Sequence, residues 1–134
     1  MSDSHQVVDS GRAPEVRPLR DKRVLNLASG VAGRSAGSLL GGLGADVLAI
    51  PACDRAAETE LADVQLKWHL ERGQRMFKRP ADTGEFLETV RAAALAADLV
   101  IEDETIDDPL GVRRAVLDAA QGGQPSVVSV TPFG

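Results

Sequence analysis

Short apolar runs alternate with longer stretches of helical period along most of this chain. Val24, Leu25 and Leu27 form a run that stops at Ser29-Gly30, which predicts a buried strand. Ala32, Ala36, Leu39, Leu40 and Leu43 then recur at helical spacing, with Gly44 placed as a C-terminal cap. Val47, Leu48 and Ile50 make a second strand, closed by Pro51. Leu61, Val64 and Trp68 fit one face of a modest helix behind Glu58 and Glu60. Asp82-Thr83-Gly84-Glu85 has capping-box spacing and opens a helix with Phe86, Val90, Ala94 and Ala97 on one side. Leu99 to Ile101 reads as a third strand. Asp108-Pro109 predicts a cap and first-turn proline for a helix that Gly122-Gly123 ends, and Ser126 to Val130 reads as a fourth strand. Strands alternating with helices predict an α/β fold: a Rossmann-like open, mostly parallel sheet with helices on both faces.

The first 20 residues lack either period and read as a mobile tail, leaving 21–134 as the folded unit. A length of 134 residues suits one domain. Composition narrows the function classes. Aromatics are 3%, with no Tyr, too few for the stacking platforms of single-strand nucleic-acid modules. A net charge of −5 argues further against a phosphate-backbone binder. The lone Cys53 excludes a disulfide framework and any cysteine-cluster zinc site. No run has the length of a bilayer span, and the N-terminus has no signal-peptide design, so a soluble cytoplasmic protein is expected.

Six of the thirteen glycines lie between Gly30 and Gly44. The turn Ala28-Ser29-Gly30-Val31-Ala32-Gly33 would sit at the carboxyl edge of a parallel sheet. There its backbone amides and the following helix N-terminus favour an anion. The same glycines could serve turns and packing alone, with Gly37 and Gly41 letting the helix lie close on the sheet. The dinucleotide fingerprint is not met, since the spacing is Gly30-x-x-Gly33-x-x-x-Gly37, and the second strand ends in Ile50-Pro51 instead of an acid. A phosphate-loop lysine motif is absent too.

The order of segments is more specific. Pro18-Leu19-Arg20-Asp21-Lys22-Arg23-Val24-Leu25-Asn26-Leu27, Val31-Ala32-Gly33 and Leu43-Gly44-Ala45-Asp46-Val47-Leu48 come first. Leu70-Glu71-Arg72-Gly73-Gln74-Arg75, Ala97-Asp98-Leu99-Val100-Ile101-Glu102 and Ser129-Val130-Thr131-Pro132-Phe133-Gly134 follow. Together these six resemble, in order and near the right spacing, the N-terminal portion of the class III CoA-transferases, the formyl-CoA and carnitine CoA-transferase (CaiB/BaiF) family. The resemblance implies transfer of CoA from an acyl-CoA to a carboxylic acid through an aspartyl intermediate, with CoA as a substrate and no permanently bound cofactor. It also implies interlocked dimers whose Rossmann-like domain is assembled from both ends of the chain. The family's catalytic aspartate lies beyond the closing Phe-Gly motif, so no catalytic residue is assigned here, and Asp98 matches a structural position. The retained positions implied to contact CoA are Gly30, Val31 and Ala32 in the turn, with Arg72 and Arg75.

Other positions depart from the family pattern. Asp103-Glu104 replace an Asn-Phe pair, and two acids there would repel a phosphate-rich ligand. Ala49, Pro51 and Ala52 replace a lysine, a glutamate and an arginine, Glu71 an asparagine, and Arg34 a proline. A degenerate, non-catalytic half or partner subunit that stabilises an active transferase is therefore the alternative reading. A small stand-alone nucleotide-binding module is a third.

Charge is uneven. Five bases between Lys67 and Arg79 face one acid, Glu71, whereas Asp98 to Asp108 holds six acids and no base. The basic run reads either as a phosphate contact or as a solvated face, and the acidic run as a solvated loop. His5 and His69 have no second ligand at metal spacing, so no metal site is expected. Cys53 reads as an inert small hydrophobe.

Overall fold

Four-residue apolar runs are too short for helices and long enough to cross a sheet. In the computed structural model, which describes residues 16–50, 64–103 and 111–130, they become the centre of one. The elements follow in order: β1 (Arg23–Asn26), α1 (Val31–Gly42), β2 (Asp46–Ala49), α2 (Val64–Glu71), β3 (Gln74–Met76), α3 (Thr83–Ala96), β4 (Leu99–Asp103), α4 (Val112–Ala120) and β5 (Ser126–Val130). The five strands form one sheet in the order β3-β2-β1-β4-β5, and every pairing is parallel. This is the expected open α/β architecture.

Strand alternation sorts the core into two layers. Leu25, Leu27, Ile50 and Val100 pack with Phe86, Val90 and Ala94 of α3 and Val112, Val116 and Ala119 of α4. Val24, Val47 and Ile101 face the other way, with Ala36 and Leu40 of α1 packed against them. Helices therefore cover both faces. Leu19, just before β1, joins the second layer, and its N–H donates to the Leu43 carbonyl at 3.1 Å.

The N-cap at Asp82 is present: its side chain accepts from the Glu85 N–H at 3.0 Å, and Phe86, Val90 and Ala94 are the buried face. Four expectations need correction. α1 buries its apolar stripe only in part: Ala36 and Leu40 pack on the sheet, but Leu39 is 68% exposed, and the fully buried residues are Gly33, Arg34 and Gly37. The reason is close approach. A Cβ on Gly37 would collide with the Asn26 and Gln74 side chains, and one on Gly41 with the Gly73 carbonyl. Trp68 likewise is 63% exposed, while Leu70 is buried, alone among the described side chains of α2. The strand β3 carries no apolar run and was not expected; it adds at the sheet edge through backbone pairing to β2. α4 is capped by Gly111 in a left-handed conformation (φ 72°), three residues after the expected Asp108 cap. Leu61, Cys53, His5 and Asp108-Pro109 lie outside the described residues.

Candidate functional site

With β1 central, the chain crosses to β2 and β3 on one side and to β4 and β5 on the other. The carboxyl ends of β1 and β4 therefore flank the point where the winding reverses, the position at which open α/β sheets take ligands. The turn 27–30 lies there. Leu27 continues the pairing past β1, its N–H donating to the Ile101 carbonyl at 2.8 Å.

Asn26 ties this turn together from beneath. Its Oδ1 accepts from the Ala28 N–H at 3.1 Å, and its Nδ2 donates to the Gly33 carbonyl at 3.1 Å and to Gln74 Oε1 at 2.9 Å. Gln74 in turn donates to the Arg34 and Leu70 carbonyls at 3.1 and 2.6 Å. This polar layer fills the space that the glycine face of α1 leaves open. A buried amide at each position satisfies donors and acceptors that apolar side chains would leave bare.

Above the turn stands Asp103. Residues 101 and 103 share a sheet face, so the last side chain of β4 lies on the same side as α1. One oxygen, Oδ2, accepts from both the Ser29 N–H at 2.9 Å and the Gly30 N–H at 2.7 Å. These are charge-assisted bonds of short length. α1 has no side-chain N-cap of its own, with Gly30 at that position, and no acid in its first turn. Asp103 supplies negative charge from another strand to the positive end of the helix.

Arg34 adds a second charged feature to that first turn. It is 5% exposed, its Nε and Nη1 have no hydrogen-bond partner, and Glu71 Oε1 is 3.8 Å from Nη1. On the opposite sheet face Glu102 is buried, accepts from Arg113 Nη2 at 2.9 Å, and also bonds Ser129 Oγ. Asp98 accepts from the Arg23 N–H at 2.9 Å, a strand-start contact that matches its structural assignment. The described acids of this segment are thus not a free solvated run. Asp98 is engaged at the strand start, and Glu102 and Asp103 because β4 extends two residues beyond its apolar triplet; Glu104, Asp107 and Asp108 lie outside the described residues.

The five residues expected to contact CoA fall into two groups. Gly30, Val31 and Ala32 make the turn and first residues of α1, at the carboxyl edge of the sheet. Arg72 precedes β3 and so stands at the amino edge, where Ser38 Oγ donates to its carbonyl at 2.8 Å and its guanidinium lies 5.4 Å from the Trp68 ring centre. Arg75 is the middle residue of β3, in register with Leu48 and on the α3/α4 side of the sheet. Its guanidinium pairs with Asp46, Nε to Oδ1 at 2.8 Å and Nη2 to Oδ2 at 3.1 Å, which directs it to the amino edge too. The turn and the arginines are not brought together. Asn26 and Asp103 as turn ligands, and Gln74 as the partner that holds Asn26, were not expected; a polar residue ending an apolar strand was the available signal for Asn26 and Asp103.

No family model and no curated relative matches the chain. Solved structures do match. A CaiB/BaiF family protein from Brucella suis is 27% identical, with a TM-score of 0.60, over 87% of this chain and 33% of that one. A hypothetical protein from Mycobacterium tuberculosis matches over the same shares at 23% identity and a TM-score of 0.59. E. coli MccB, solved with MccA, shares the layout at 12% identity and a TM-score of 0.50, over 84% of this chain and 37% of that one. The last two show the fold alone. The chain spans about a third of the length of the structures it matches. In three-dimensional fold, the chain is similar to about a third of a CaiB/BaiF family protein.

Proposed function

We propose that the chain is the Rossmann-like portion of a class III CoA-transferase-like protein, and that residues 21–134 serve there as scaffold. The complete protein moves CoA from an acyl-CoA to a carboxylic acid. An aspartate carboxylate attacks the thioester carbonyl and expels the CoA thiolate, leaving a mixed anhydride; the thiolate attacks its aspartyl carbonyl and releases the donor acid, and the acceptor carboxylate then takes CoA from the aspartyl thioester through a second mixed anhydride that frees the aspartate. No residue of this sequence matches that aspartate. What these residues contribute is a rigid sheet edge: the Asn26–Gln74 layer fixes α1, and the β1–β4 pairing fixes the turn beside which an active site would be completed.

The observation that carries the scaffold reading is the separation of the retained positions. Gly30, Val31 and Ala32 stand at one sheet edge, whereas Arg72 and Arg75 stand at the other, with Arg75 already paired to Asp46. One CoA-phosphate site built from all five is not supported by that arrangement. The likeness to the Brucella suis protein supports the transferase context. CoA as substrate, a homodimer or a paired transferase subunit, and a cytoplasmic setting belong to this proposal. Among the described residues no helix is long and apolar enough to cross a membrane.

Two measurements test it. The purified chain, given acyl-CoA and carboxylate pairs, is expected to show no turnover, and turnover would refute the scaffold assignment. Sedimentation of the chain with a full-length CaiB/BaiF-type chain is expected to show a complex; a stable, strictly monomeric protein under those conditions would contradict the partner role.

A further inference from the structure

The turn that follows β1 has every backbone feature of an anion site, and the chain supplies the anion itself. Ser29 and Gly30 present adjacent N–H groups at the start of a twelve-residue helix, at the winding reversal of the sheet. Both donate to one oxygen of Asp103, at 2.9 and 2.7 Å. We propose that Asp103 is a built-in ligand of the β1–α1 turn and the residue that sets its specificity, closing it to phosphate groups.

Three considerations carry this. A phosphate oxygen seeking these two amides has to displace a carboxylate that is already charge-assisted in both bonds. Displacement then leaves like charges in a part-buried site, where they are poorly screened. The carboxylate also costs little to hold in place, because β4 is fixed by pairing to β1 on one side and β5 on the other. The tethered group therefore acts at a high effective concentration against any ligand in solution. The positive charge of the first turn does not reopen the site, since Arg34 is buried and faces Glu71. The inference rests on the geometry of the turn and stands apart from the transferase reading.

The test uses the chain labelled with nitrogen-15 and two probes, pyrophosphate and then CoA, with the Ser29 and Gly30 amide signals as the readout. In the unaltered chain neither probe is expected to move these two signals saturably. Asp103→Ala removes the internal ligand and is expected to bind pyrophosphate about tenfold more tightly than the unaltered chain, with both amides responding. Asp103→Asn keeps the shape and an acceptor oxygen while removing the charge; it is expected to gain about threefold and serves if the alanine variant does not fold. A saturable shift at Ser29 and Gly30 in the unaltered chain would overturn the proposal. So would folded variants that bind pyrophosphate no better than the unaltered chain. CoA binding that leaves both amides unmoved would support turn closure while placing CoA elsewhere, so the two readings fail separately.

Discussion

Asp103 and Gly41 show how much of this molecule is decided by single atoms. Gly41 lies in the last full turn of α1 with the Gly73 carbonyl where its Cβ would be, whereas a Cβ on neighbouring Gly42 would meet nothing within 4 Å. Gly41→Ala must push α1 away from the α2–β3 connection and is expected to cost about 1–3 kcal/mol in urea unfolding. Gly42→Ala in the same assay is expected to be neutral or to stabilise by up to about 1 kcal/mol, through helix propensity. Equal effects would show that the helix does not sit as closely as described. Arg75 offers the contrasting case. Its pair with Asp46 is exposed, so Arg75→Ala is expected to cost no more than about 1 kcal/mol. Because that guanidinium is turned to the amino edge, the same substitution is expected to leave CoA affinity of the complete protein within about twofold by calorimetry, less than one charged hydrogen bond is worth. A tenfold loss would return Arg75 to the ligand site.

At the scale of elements, hydrophobic periodicity read well where burial of apolar side chains decides the structure, and poorly where backbone contact does. β1, β2, β4 and β5 follow from their apolar runs, and α3 from the Asp82 box and the Phe86–Val90–Ala94 face. Asp82→Ala removes the bond to the Glu85 N–H and is expected to lower stability by about 1 kcal/mol in thermal unfolding; an unchanged midpoint would deny that bond its capping role. α1 defeats the same logic, because glycine contributes no hydrophobic signal yet permits the closest packing, leaving Leu39 outside. β3 is invisible for a related reason. Its Gln74-Arg75-Met76 sequence earns its place through ladder bonds to β2 and the Gln74 amide beneath α1, neither of which has a periodic signature. The turn after β1 was legible as a candidate site from its glycines. Its occupant was not, because Asp103 lies 73 residues from Gly30 and meets it only through the β1–β4 pairing.

For the whole molecule, an all-parallel five-stranded sheet and a likeness to about a third of a CaiB/BaiF family protein set the frame. Fold alone does not fix chemistry. On that frame this chain sets basic residues at the amino edge and an acid bound into the carboxyl-edge turn. Everything proposed for the carboxyl edge depends on Asp103 holding the turn. The most direct measurement is amide hydrogen exchange at Gly30 in the unaltered chain and in Asp103→Ala, under conditions where both remain folded. Protection in the unaltered chain and exchange faster by about tenfold in the variant is the predicted result, since one charge-assisted hydrogen bond is lost. Equal exchange rates at Gly30 in the two proteins would contradict it.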